Sequence, residues 1–97
     1  MSKNALKLTD IDNVATALDD IAAGDQVVIS DSDGAQIDEI KSLSSIIRGH
    51  KIALIDIPAG GHIVKYGYHI GVATKDIVRG EHVHTHNLSS ERGRGDL

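Results

Sequence analysis

Two stretches of the chain, twenty residues apart, spell one pattern: Asp56-Ile57-Pro58-Ala59-Gly60-Gly61-His62-Ile63 and Asp76-Ile77-Val78-Arg79-Gly80-Glu81-His82-Val83. The shared form, D-I-x-x-G-x-H-[IV], reads as a turn with a glycine suited to positive φ, followed by a strand. Two copies are too few for a solenoid but fit two similar loops packed about a pseudo-dyad. The segments around them (KIALIDI, GHIVKY, HIGVAT, EHVHTH) are short and β-rich, separated by glycines or Asp-Ile turns. Such spacing points to a compact β-domain of hairpins rather than a βαβ unit.

The first half reads differently. Ala15, Leu18, Ile21 and Ala22 recur at helical spacing after the N-cap candidates Asp12 and Asn13, and Gly24 supplies a stop. This predicts a helix of roughly three turns. Gln26–Ser30 is β-branched and short, hence a strand, and DSDGAQ after it is a turn. Ile37, Ile40, Leu43 and Ile47 predict a short second helix that Gly49 ends. The expected fold is mainly β with one or two short helices.

With 97 residues the chain makes one small domain. It has no Phe, Trp or Cys, and Tyr66 and Tyr68 are its only aromatics, so the core is built from Ile, Val, Leu and Ala. A small aliphatic core without disulfides gains from a partner subunit, or from forming a homo-oligomer in isolation. A net charge of −4, with both signs mixed along the chain, argues against nucleic acid as a partner. No run approaches membrane-spanning length and MSKNALKLTDIDN has no apolar signal region, so no membrane association and a cytoplasmic location are expected. The absence of cysteine fits a reducing compartment.

In Gly80–Asn87 (GEHVHTHN), His82, His84 and His86 occupy every second position. On a strand they share one face, with Val83 and Thr85 on the other. Alternate residues lie about 6.6 Å apart, within reach of one metal for two imidazoles, but the outer pair lies about 13 Å apart. All three bind one ion only if the strand bulges or bends. His82 and His84 are therefore candidate metal ligands, to be completed by His50, His62, His69 or a partner chain. Two other readings stay open: a polar functional surface, and the solvated face of an antiparallel sheet. No HExxH accompanies the histidines, so zinc hydrolysis is not indicated.

Other motifs carry less. In DSDG, a calcium loop with Asp31 and Asp33 at its third and fifth positions would put Ile29 and Ile40 where carboxylates are needed. There is no GxGxxG or P-loop, and the Arg94-Gly95-Asp96 tripeptide has no weight. Lys65 and Tyr66 form a candidate acid/base pair, with two solvated residues beside a turn as the plainer reading.

Taken together, GHKIALIDIPAG (49–60), IVKYG (63–67), IGVAT (70–74), the Asp76–Gly80 turn and EHVHTHN (81–87) resemble the small SAF-type N-terminal domain of the altronate/galactarate dehydratase family of sugar-acid hydro-lyases. NVATALDDIAAGDQV (13–27) is similar to that family's opening segment. Residues 31–48 match least, since Ile47-Arg48 stands where the family commonly has an Ile-Pro-Phe-type lead into Gly-His-Lys. The resemblance implies a β-clip (SAF-domain) fold over residues 1–90, and the polar, glycine-rich composition of the chain end predicts a flexible tail over 91–97. It also implies a larger catalytic subunit holding a divalent metal (Fe2+, Mn2+ or Mg2+) and acting on a sugar-acid substrate. This chain would then be the separately encoded small subunit.

Removing water from a polyhydroxy acid takes a proton α to a carboxylate and expels hydroxide from the β-carbon, so a general acid is needed. Histidine suits that task at neutral pH. On this reading His82, His84 and His86 are the candidate catalytic residues, and His50, Lys65 and Arg94 the candidate substrate-binding ones; Arg92 and Arg94 could also dock the partner. The alternatives are the small subunit of a sulfolactate sulfo-lyase, a non-catalytic carbohydrate- or protein-binding module, and a free metal-binding histidine protein.

Overall fold

The computed structural model describes residues 2–90. These form nine strands: β1 (Lys3–Leu6), β2 (Val14–Ala17), β3 (Gln26–Ser30), β4 (Gln36–Lys41), β5 (Lys51–Ala53), β6 (His62–Lys65), β7 (Tyr68–Ala73), β8 (His82–Val83) and β9 (Leu88–Ser90). Six make one sheet in the order β4-β3-β1-β2-β5-β8, and β6-β7-β9 make a second. Only β1 and β3 run parallel among these pairs.

The expectation of a mainly β chain holds, and β3 and the turn after it lie where the sequence places them. Both expected helices are strands instead, and no helix occurs among the described residues. The helical stripes were accidental: Leu18, Ile37, Leu43 and Ile47 are all exposed. Val14–Thr16 pair with β5, and Gln36–Lys41 pair with β3. Pairing with neighbouring strands buries Val14, Ala15, Ala17 and Ile40, which an isolated helix over the same residues would not do. No helix long and apolar enough to cross a membrane is found among the described residues.

The repeated pattern proves to be the organising device. Ile57 and Ile77 form an antiparallel bridge, with Ile57 N donating to Ile77 O at 2.8 Å and Ile77 N to Ile57 O at 2.7 Å. Each aspartate caps the other copy: Asp56 accepts from Arg79 N (2.8 Å) and Asp76 from Ala59 N (2.9 Å). Two further copies, Asp20–Val27 and Ser45–Ile52, are joined by an Ile21–Ile46 bridge, and here the capping runs one way, with Asp20 accepting from Arg48 N at 2.9 Å. In all four copies the glycine has positive φ and its N–H bonds the strand that precedes the partner copy, or leads into it. The chain is thus two reciprocal pairs of turns, which is the construction of a β-clip.

Two aliphatic clusters fill the interior. One, around Ile29, Ile46 and Ile52, lies within the larger sheet; the other joins Val14, Ala53 and Val83 to Ile57, Ile63 and Ile77. Asp12 and Asn13 fasten the β6–β7 hairpin to the larger sheet. The buried Asp12 carboxylate accepts from Tyr66 N and Gly67 N, both at 2.9 Å, and from Thr9. These bonds hold Tyr66 at φ 57, an unfavourable conformation for a tyrosine. Asn13 donates to His62 O and accepts from Val64 N.

A histidine cluster as candidate functional site

β8 is only two residues long because the next turn captures its end. The buried Asn87 side chain accepts from His84 N (3.0 Å) and donates to His82 O (2.9 Å), while Asn87 N donates to His84 O. The strand therefore bends at His84 rather than carrying the histidines away along a straight line. Ser44 Oγ accepts from His82 N on the other side. In the adjacent strand β5, Lys51 lies opposite Val83 and Ile52 opposite His82, which places His50 beside the bend.

The four rings of His50, His82, His84 and His86 gather there. His50 Nδ1 and His82 Nε2 lie 2.9 Å apart and share a proton in an N–H···N bond. His84 stacks on His50 with ring centroids 3.9 Å apart, and His86 lies 5.1 Å from His82. His82 and His84 come together at the bend with His50, whereas, among the described rings, His86 lies against that of His82 alone. His62 and His69 do not join them; they stack on each other at 4.3 Å on the β6–β7 hairpin. Lys65 ends β6, and no contact links its ammonium to the Tyr66 hydroxyl among the described residues. Arg92, Arg94 and the expected tail lie outside the described residues.

Burial pushes His82 down to about 4, aided by the positive charges of His86, His50, His84 and Lys51. His84 is lowered as well, by burial, His50, Lys51 and His86. Lys51, half-buried, is lowered by burial and by Lys65. Among the described residues, no carboxylate is among the charges acting on these three groups. His82 and His84 are thus mainly neutral at pH 7, able to take up a proton or form hydrogen bonds.

The nitrogens of His50, His82 and His84 lie within 4.8 Å of one another. Neutral imidazoles are suitable donors for a divalent ion, but their lone pairs must converge on it. Here the rings are within 18° of parallel, and two of the nitrogens face each other across a proton. As folded, the trio is a candidate ligand set for one ion, and the approach of His50 Nδ1 to His82 Nε2 serves equally for an N–H···N bond.

Stability should follow these protonations. The folded His82 titrates near 4 and an unfolded histidine near 6.5, so between these values the unfolded chain binds more protons and stability rises with pH. Urea unfolding is expected to show lower stability at pH 5 than at pH 7, with a flatter dependence in His82→Gln. Asp12 adds to this further down. Burial opposes its charge, but the hydrogen bonds from Thr9, Gly67 and Tyr66 prevail and hold its pKa below 3.8, so its contribution fades as pH falls below that value. Equal stability at pH 5 and 7 would show that His82 is not buried among cations.

Sequence reasoning missed Asn87, which stands inside the quoted segment directly after His86. Its residue type does not signal its role without the turn that follows β8.

Reciprocal turn pairs, two small sheets and a histidine bend at one sheet edge define an SAF-type β-clip domain. The model of the altronate/galactarate dehydratase SAF domain matches residues 3–91, and the chain belongs to that family. It is 42% identical over 82 residues to the altronate dehydratase of Escherichia coli and 46% identical over 88 residues to that of Bacillus subtilis. These matches cover 84% and 91% of this chain but 15% and 16% of those proteins, so the chain spans about a sixth of their length. It is also 36% identical over 64 residues to the (2R)-sulfolactate sulfo-lyase subunit alpha of Chromohalobacter salexigens, covering 66% of each.

Proposed function

We propose that this chain is the small subunit of a two-subunit, metal-dependent sugar-acid dehydratase of the altronate type, and that its histidine face closes over the active site of a larger catalytic subunit. The observation that carries this reading is the gathering of four imidazoles in a chain similar to a small part of much longer dehydratases. A divalent ion (Fe2+, Mn2+ or Mg2+) held by the larger subunit would withdraw charge from the substrate carboxylate.

In this chain a neutral imidazole accepts the α-proton as the C–H bond breaks. Once protonated, an imidazole of lowered pKa is a stronger acid than an ordinary imidazolium, and it gives that proton to the β-hydroxyl as the C–O bond breaks and water leaves. His84 is assigned the transfer at the substrate. The His50–His82 pair passes the proton within the face along its N–H···N bond, and His86 completes the polar surface.

The test is elimination by this chain mixed with a large subunit, under reducing conditions with each of the three ions, on altronate, galactarate and sulfolactate. Activity is expected only in the mixture, and His84→Ala should lower kcat about 100-fold or more without loss of the complex. A large subunit equally active without this chain would leave a non-catalytic binding module. Turnover of sulfolactate alone would favour the second reading, a sulfo-lyase small subunit, which the match to subunit alpha supports.

A further inference from the structure

We propose that His50, His82 and His84 form a site for a nitrogen-preferring divalent ion such as Zn2+, and that the ion switches the histidine face off by taking the lone pairs that proton transfer needs. The site stands on this chain alone; its inhibitory effect rests on the dehydratase reading.

Among the described residues these three are the one set of histidine, cysteine or carboxylate groups whose donor atoms converge, all lying within 4.8 Å of one another. Tetrahedral zinc, with Zn–N bonds of about 2.0–2.1 Å, puts its nitrogens about 3.3 Å apart. His50 Nδ1 and His82 Nε2 lie 2.9 Å apart and need to part by only about 0.4 Å. His84, stacked on His50 at 3.9 Å, has to turn its ring toward the pair. That turn is about χ2, a broad torsion in histidine. The backbone beneath is already fixed. Asn87 holds His84 N and His82 O, Ser44 accepts from His82 N, and β5 pairs Ile52 with His82. Binding therefore moves rings and not strands. The hydrogen shared between His50 and His82 passes to the outer nitrogen of its ring, which frees both inner lone pairs.

The donor set decides which ion is held. Three imidazoles suit Zn2+, whereas Mg2+ and Mn2+ favour oxygen, and Mn2+ and Fe2+ stand below Zn2+ in the order of divalent affinities. The ions assigned to the larger subunit thus compete weakly here. Three protein ligands leave a fourth position to water. With the trio filled, His84 has no free lone pair to take the α-proton, and the path between His50 and His82 is interrupted.

The first experiment is calorimetric titration of the full chain alone with Zn2+, Mn2+ and Mg2+ at neutral pH. One Zn2+ per chain is expected, bound at least about 100-fold more tightly than Mg2+. His50→Ala and His84→Ala should each weaken it about 10- to 100-fold or more, since even the loss of an outer-shell partner costs that much. His69→Ala, in the stacked pair of the β6–β7 hairpin, should leave it unchanged. Histidine-ring NMR of the unaltered chain covers the case of a variant that misfolds: Zn2+ should shift His50, His82 and His84 and spare His62 and His69. Equal affinity for Mg2+, a zinc affinity unchanged in both alanine variants, or shifts confined to other histidines overturn the site. Elimination by the mixture is then compared between chain preloaded with one equivalent of Zn2+ and unloaded chain, in a thiol-free reductant. Preloading should lower the rate at least about 100-fold, the contribution of general acid–base catalysis. Full activity with zinc still on the trio overturns the switch. The two readings fail separately. If the unloaded mixture eliminates nothing yet the trio binds Zn2+, the dehydratase assignment falls and the ion site stands. If the unloaded mixture is active and the chain binds no Zn2+, the reverse holds.

Discussion

Gly71→Ala is expected to lower the melting temperature by about 12–24 °C, the consequence of losing about 3 kcal/mol in a domain of this size. Gly71 lies buried within β7, opposite Ser90 of β9 and Ile63 of β6. A Cβ added there would lie 2.3 Å from the Ser89 carbonyl oxygen and 3.0 Å from its carbonyl carbon. Both are backbone atoms, so no side-chain rotation relieves the overlap and β9 must move away from β7. Ordinary overpacking costs about 1–3 kcal/mol, and a backbone collision belongs at the upper end. Gly34→Ala makes the comparison: its Cβ meets nothing within 4 Å, but φ is +88°, so about 1 kcal/mol is expected from backbone strain alone. Thermal unfolding followed by far-ultraviolet circular dichroism measures both. A Gly71→Ala domain melting within about 3 °C of the parent would mean that β9 does not approach β7 this closely.

The same strand packing explains what the sequence disclosed of the fold. The echo at Asp56 and Asp76 was legible because both copies keep Asp, Ile, Gly and a following histidine. The other two copies were hidden by details that the fold does not use. Neither has histidine at the matching position, and one carries Ser45 in place of aspartate. What the turn needs is the bridging isoleucine, the positive-φ glycine and the apolar residue second in the next strand. Ile21 and Ile46 satisfy that need, and so the segments read as helices are halves of a second turn pair. Helical spacing arose because Leu18, Ile37, Leu43 and Ile47 happen to fall in register with buried positions, although they face solvent. A single chain read alone does not show which apolar residues are exposed.

The candidate site divides along the same line. Its histidines were visible by their alternation, and the distance argument named the bend they would need. The cause of the bend was not visible, because it lies in one amide side chain bonding backbone groups on both sides of the turn.

Asn87→Ala puts the link between fold and site to the test. The side chain is 2% exposed and satisfies both His84 N–H and His82 C=O. Removing it strands a donor and an acceptor in a buried turn, at about 1–3 kcal/mol each. The turn escapes that cost by opening toward solvent, which carries His84 off His50 and lets water reach His82. Two results are expected together. Stability by urea unfolding should fall by about 2–4 kcal/mol, and the His82 pKa, followed by NMR, should climb from about 4 toward the ordinary 6.5. The control Thr85→Ala, exposed in the same turn, should change neither. The pair of readouts separates two roles for Asn87. A loss of stability with His82 still near 4 would make it a structural residue only. A rise in the His82 pKa shows that the amide holds His82 in the crowded, desolvated arrangement that keeps it neutral at pH 7.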